Sequence, residues 1–182
     1  MLTILHPWHS APTGEKAPHT VNAIVEISQG SRVKYEVDKN TGLLRMDRVI
    51  YSSFQYPVNY GFIPQTLGMD GDPLDILVIC SQSIQPLCLV EANIIGNMQM
   101  IDNGQMDDKI IAVASTDPSV GHIKSMEALP QHFILELRHF FEQYKVLEHK
   151  KVEIDHFQDA AAACKVITDA ISHYKDTYRQ SS

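Results

Sequence analysis

A change of hydrophobic period partway along the chain is the feature that most constrains its fold. Val21, Ala23, Val25 and Ile27 alternate with Asn22, Ile24 and Glu26, and Val33, Tyr35 and Val37 alternate with Arg32, Lys34, Glu36 and Asp38. Apolar residues at every second position give a strand one apolar face. After the turn Asp38-Lys39-Asn40-Thr41-Gly42, further strands are expected over 43–50, 74–79, 87–101 and 109–114. From Pro130 the period becomes helical: Phe133, Ile134, Leu137, Phe140, Phe141, Tyr144 and Leu147 fall on one stripe, with His132, Glu136, His139 and Gln143 on the other. Residues 152–157 read as one more strand, and Asp159 as the cap of a last helix carrying Cys164, Ile167, Ile171, Tyr174 and Tyr178. Strands first and helices after predict an α+β domain, a small barrel with helices packed on its outside. Residues 1–20 show no period and are expected to form an N-terminal arm, leaving 21–182 as a single domain without internal repeats.

Composition excludes several classes. With 44% hydrophobic and 20% charged residues in 182, the chain has the make-up of one globular domain, and no apolar run approaches a membrane span. A net charge of -7 argues against a nucleic-acid coat or a membrane-surface module, both of which need a basic patch. The apolar patch at residues 2–5 has no basic flank and Pro7 follows closely, so no signal peptide is expected. Cys80, Cys88 and Cys164 form no close pair and read as reduced structural thiols, which suits a cytoplasmic protein. His6, His9 and His19 lack a ligand spacing and are expected to be solvated.

Chemistry first shows at Asp70-Gly71-Asp72-Pro73-Leu74-Asp75, three carboxylates in six residues. Asp, Gly and Pro also make ordinary solvated turns. Carboxylates this close repel one another, however, and stay ionised together when a cation holds them. All-oxygen ligation favours magnesium, manganese or calcium over zinc. An EF-hand loop would need Gly at its sixth position and Glu at its twelfth, where this chain has Asp75 and Ser81.

More polar residues sit within the strand patterns. Lys34 and Glu36 share one face because they are two apart, and Arg48, Asp102, Asp107, Asp108 and Lys109 follow at strand period. Taken singly, such residues are cross-strand pairs on a wet face, Tyr144 is core and Lys145 a snorkelling cation. Together, Val33-Lys34-Tyr35-Glu36-Val37-Asp38, Tyr56-Pro57-Val58-Asn59-Tyr60-Gly61, Asp70-Gly71-Asp72-Pro73-Leu74-Asp75-Ile76 and His139-Phe140-Phe141-Glu142-Gln143-Tyr144-Lys145 occur in order. In these motifs the chain, from about Val21 to Leu147, closely resembles the family I soluble inorganic pyrophosphatases of the bacterial type.

That resemblance implies a five-stranded OB-like β-barrel with flanking α-helices, hydrolysis of pyrophosphate to two phosphates, and several magnesium ions, with manganese as an alternative. It also implies the site residues. Asp70, Asp75, Asp102, Asp107, Glu36 and Glu26 would hold metal, and Asp72 would take the proton from the attacking water. Lys34, Arg48, Tyr60, Lys109, Tyr144 and Lys145 would contact phosphate, with Tyr56 supporting the site from behind. Phosphoryl transfer asks little covalent work of a protein and much charge neutralisation, and these residue types match that need. Two other readings are a nucleic-acid-binding OB module, disfavoured by the charge and by a lone Trp8 placed outside the barrel, and a broader magnesium-dependent phosphatase. Compact family members of this length form hexamers of two stacked trimers, so a homohexamer is expected, with the face of His132, Glu136, His139 and Gln143 as its candidate contact. No nucleic-acid or membrane partner is expected.

Overall fold

The computed structural model describes residues 6–102 and 104–178; the apolar patch at residues 2–5 lies outside them. Five strands close into a ring. β1 (Thr20–Ile27) pairs antiparallel with β4 (Asn59–Phe62), β4 with β5 (Asp75–Ile79), β5 parallel with β7 (Gln105–Ala114), β7 antiparallel with β6 (Leu89–Asp102), and β6 returns to β1. β6 runs for 14 residues with a register break between Ile94 and Gly96, so that its first half pairs with β1 and its second with β8 (Val152–Asp159). Such a break bends a strand without ending it. β2 (Val33–Val37) and β3 (Leu44–Val49) form a separate hairpin.

Helices cover the ring. Leu137, Phe140, Phe141 and the following Tyr144, from α2 (Gln131–Gln143), join Leu77, Ile79, Ile111 and Val113 in one core cluster. α3 (Ala160–Tyr178), capped by the Asp159 carboxylate accepting from the Ala162 amide at 2.9 Å, contributes Ala163, Ile167 and Ala170 to a second cluster with Ile76, Val78, Ile110 and Ala112. β5 and β7 are therefore apolar on both faces, which is why their sequences are near-continuous apolar runs.

Four details differ from the sequence pattern. The strand at Asn59–Phe62 has no alternation to announce it, because all four residues are buried. In β1, Ile24 and Glu26 are buried along with the opposite face. Leu147 leaves the helical stripe and is exposed, since α2 ends at Gln143 and a 3-10 turn at Val146–Glu148 breaks the period. The described part of the arm, with the short helix α1 (Pro7–Ser10), packs on the body: Trp8 is 3% exposed and sits with Ile24, Phe62, Leu67 and Tyr174 rather than apart from the ring.

Candidate active site

A cavity of about 440 Å³ opens between the ring, the β2–β3 hairpin and the end of α2. Thirteen of the fourteen residues expected from the sequence line it: Glu26, Lys34, Glu36, Tyr56, Tyr60, Asp70, Asp72, Asp75, Asp102, Asp107, Lys109, Tyr144 and Lys145. Strand ends deliver most of them. Asp75 opens β5 directly across from Lys109 on the parallel neighbour β7, and Asp107 follows the same face two residues earlier. Lys34 and Glu36 project together from β2, while Glu26 comes from the doubly buried β1.

The exception is Arg48. It stands across from Lys34 in the hairpin, but its guanidinium is gripped by Asp47 and by Glu148, whose Oε1 accepts from Nε at 2.9 Å. Arg48 therefore borders the cavity through Lys34, to which Asp47 also reaches at 3.4 Å, instead of lining it. Trp8, Lys39 and Arg45 also line it, although the sequence pointed to none of them as a site residue. Lys39 lies in a turn and Trp8 in an aperiodic arm, so neither carried a pattern. Only their position in the fold makes them visible.

Acids and ammonium groups interleave throughout. Lys109, 4% exposed, is held between Asp75 and Asp107; Lys145 pairs with Asp102, Lys34 with Glu36 and Lys39 with Asp72. Burial works against the Lys109 charge, but its two carboxylates prevail and hold its pKa above the usual lysine value. One ammonium cannot compensate two carboxylates fully, and burial with the nearby Asp75 charge raises Asp107. Burial lowers Lys145.

Glu26 is pushed up to about 8 by burial and by Asp75 and Glu36, against the Val37 amide that donates to its Oε1 at 2.6 Å. Tyr56, Tyr60 and Tyr144 are raised by burial and by neighbouring charges, so their hydroxyls remain protonated donors. Tyr56 stands edge-on to Tyr60 with ring centroids 5.6 Å apart.

The donor set fits a hard cation. Seven carboxylates and no His or Cys line the cavity, against five Lys and Arg side chains. A lining with an acidic excess, whose metal-ligating atoms are all oxygen, would repel a phosphate anion unless cations reversed its sign.

The chain matches the family model described as inorganic pyrophosphatase over residues 23–175. It is 48% identical over 176 residues to soluble inorganic pyrophosphatase 2 of Chlamydomonas reinhardtii, covering 97% of this chain and 92% of the relative. It is 50% identical over 173 residues to soluble inorganic pyrophosphatase 4 of Arabidopsis thaliana, covering 95% and 78%. The solved inorganic pyrophosphatase from Thermus thermophilus superposes with a TM-score of 0.90 at 38% identity, over 93% of this chain and 99% of that one. A closed five-strand ring with an oxygen-lined, cation-studded cavity thus has the architecture of a phosphate-handling enzyme. The chain belongs to the inorganic pyrophosphatase family.

Proposed function

We propose that this chain is an inorganic diphosphatase that hydrolyses pyrophosphate to two orthophosphates, requires divalent metal, and uses magnesium for that purpose. The observation that carries the reading is the single cavity in which seven carboxylates alternate with five cationic side chains. Asp70, Asp75, Asp102, Asp107, Glu36 and, through the others, Glu26 would hold several magnesium ions, with manganese able to replace them. Bound there, divalent cations supply charge neutralisation and a lowered water pKa.

The protein's own groups do the rest. Lys34, Lys109 and Lys145 meet phosphate oxygens as point charges, the protonated Tyr60 and Tyr144 hydroxyls donate to them, and Arg48 approaches from beside Lys34. Asp72 takes the proton of the attacking water. Its place on an exposed turn, paired with the exposed side chain of Lys39 instead of a buried partner, suits a group that must exchange protons.

Among the described residues no helix is long and apolar enough to cross a membrane. We read the protein as cytoplasmic, without nucleic-acid partners, and as a homohexamer. Phosphate release from pyrophosphate, ATP and a phosphomonoester, measured side by side with and without magnesium, tests the activity. Magnesium-dependent release from pyrophosphate far above the other two is expected. Comparable rates on ATP or the monoester would make it a broader phosphatase and overturn the reading.

A further inference from the structure

We propose that Trp8 is a positioning residue for the acidic loop, setting its affinity for divalent metal from the N-terminal arm; this rests on the reading of Asp70–Asp75 as metal-holding. Asp70 and Asp72 lie on a turn fixed by the Gly68 amide to the Asp72 carbonyl at 2.7 Å and the Asp72 amide to Asp70 Oδ1 at 3.0 Å, with no ladder partner. Lys39 reaches the loop's tip from the hairpin turn, donating to the Gly71 carbonyl at 3.3 Å and pairing with Asp72, and the tip's position relative to Asp75 and Asp107 on the strands is also set at its stem, residues 63–68.

The arm grips that stem at three consecutive residues. Trp8 Nε1 donates to the Thr66 carbonyl at 2.8 Å, the Gln65 amide donates to the Trp8 carbonyl at 2.9 Å, and Thr13 Oγ1 donates to the Pro64 carbonyl at 2.9 Å. The Gln65 side chain adds a bond from Nε2 to the His9 carbonyl at 3.2 Å. Gln65 has φ of 55°, a left-handed conformation that a non-glycine residue keeps only where its surroundings over-determine it. Thr66 then passes the constraint across the loop, its hydroxyl donating to the Ile63 carbonyl at 2.6 Å and accepting from the Leu74 amide at 2.9 Å.

Trp8 is itself locked. His9 stacks on its indole with centroids 4.5 Å apart, and a His9 ring nitrogen lies 2.8 Å from the Tyr174 hydroxyl on α3. The indole also forms part of the cavity wall. Chelation between a turn and a strand end is sensitive to displacements of about half an ångström, so an anchor at the stem acts on metal affinity without touching metal.

The chain has one tryptophan, so its fluorescence reports on this joint directly. Magnesium titrated into substrate-free wild type is expected to change Trp8 emission saturably, and Asp70→Asn to weaken that response. Trp8→Phe keeps an aromatic packing group and loses the indole N–H, and Thr13→Val loses one hydroxyl bond outside the cavity. Each is expected to raise the magnesium needed for half-maximal pyrophosphate hydrolysis by about three- to tenfold, the range that loss of one hydrogen bond spans. Excess magnesium should recover activity, and calorimetric magnesium affinity should fall in parallel. A lowered melting temperature with unchanged calorimetric affinity in both variants would reduce Trp8 to packing and overturn the proposal alone. Unchanged magnesium affinity in Asp70→Asn would overturn the metal reading of the loop and the proposal with it.

Discussion

At the scale of single residues, the cavity's acids divide by how firmly they are held. Asp75 and Asp107 are fixed by a buried lysine and by strand backbone, whereas Asp72 rides on a turn with 49% of its side chain exposed. Asp70 shares that turn as a proposed ligand, and what sets Asp72 apart is its pairing with the exposed ammonium of Lys39, a partner that can yield as the carboxylate gains a proton. Asp72→Asn preserves shape and removes basicity. It is expected to lower kcat by about 10²–10⁴-fold while leaving the magnesium concentration for half-maximal activity close to wild type. Steady-state kinetics across a magnesium series reads both quantities; near-normal turnover would assign the base elsewhere.

At the scale of elements, β1 shows how one strand can serve core and site together. Its Val21, Ala23, Val25 and Ile27 face is buried as alternation predicts, while Ile24 packs with Trp8 and Phe62, and Glu26 lines the cavity. A carboxyl in that position favours its protonated form in the folded protein: its pKa rises from 4.5 to about 8. The folded state then binds more protons than the unfolded chain between those values, so Glu26's contribution makes stability fall as pH rises from about 4.5 to 8 and levels off above. Urea denaturation of metal-free protein in chelator should therefore show wild type losing stability over that window relative to Glu26→Gln. Parallel curves for the two would sink the assignment. Much of this was legible beforehand: strand period marked β1, β2, β3, β5, β6 and β7, helical period marked α2 and α3, and the family resemblance carried by four short motifs implied the thirteen residues that meet in one cavity. What escaped did so for physical reasons. β4 is buried throughout and so carries no two-residue alternation, Leu147 lies past the point where a 3-10 turn ends the helical repeat, and the Asp47–Arg48–Glu148 grip joins residues 100 apart that no local pattern relates.

At the scale of the whole molecule, the outer face of α2 is the candidate contact between copies. Besides His132, Glu136 and Gln143 it exposes Leu135 at 56%, and Val146 and Leu147, past the helix end, are exposed as well. His132 lies 3.5 Å from Glu136, and His139 meets the Phe54 ring edge-on at 5.4 Å. In a symmetric contact each residue of such a face meets the same face of another copy, so an exposed leucine at its edge adds apolar burial twice, and histidines that charge near their mates repel. Light scattering should find a homohexamer near neutral pH that weakens toward trimers as the solution is made acidic. Leu135→Lys puts a new ammonium on this face beside its symmetry mate and should give the smaller species already at neutral pH, with the secondary structure by circular dichroism unchanged. His139→Ala should blunt the acid response. A monomer or dimer in the wild type would rule out the hexamer, and a hexameric Leu135→Lys would move the contact to another face.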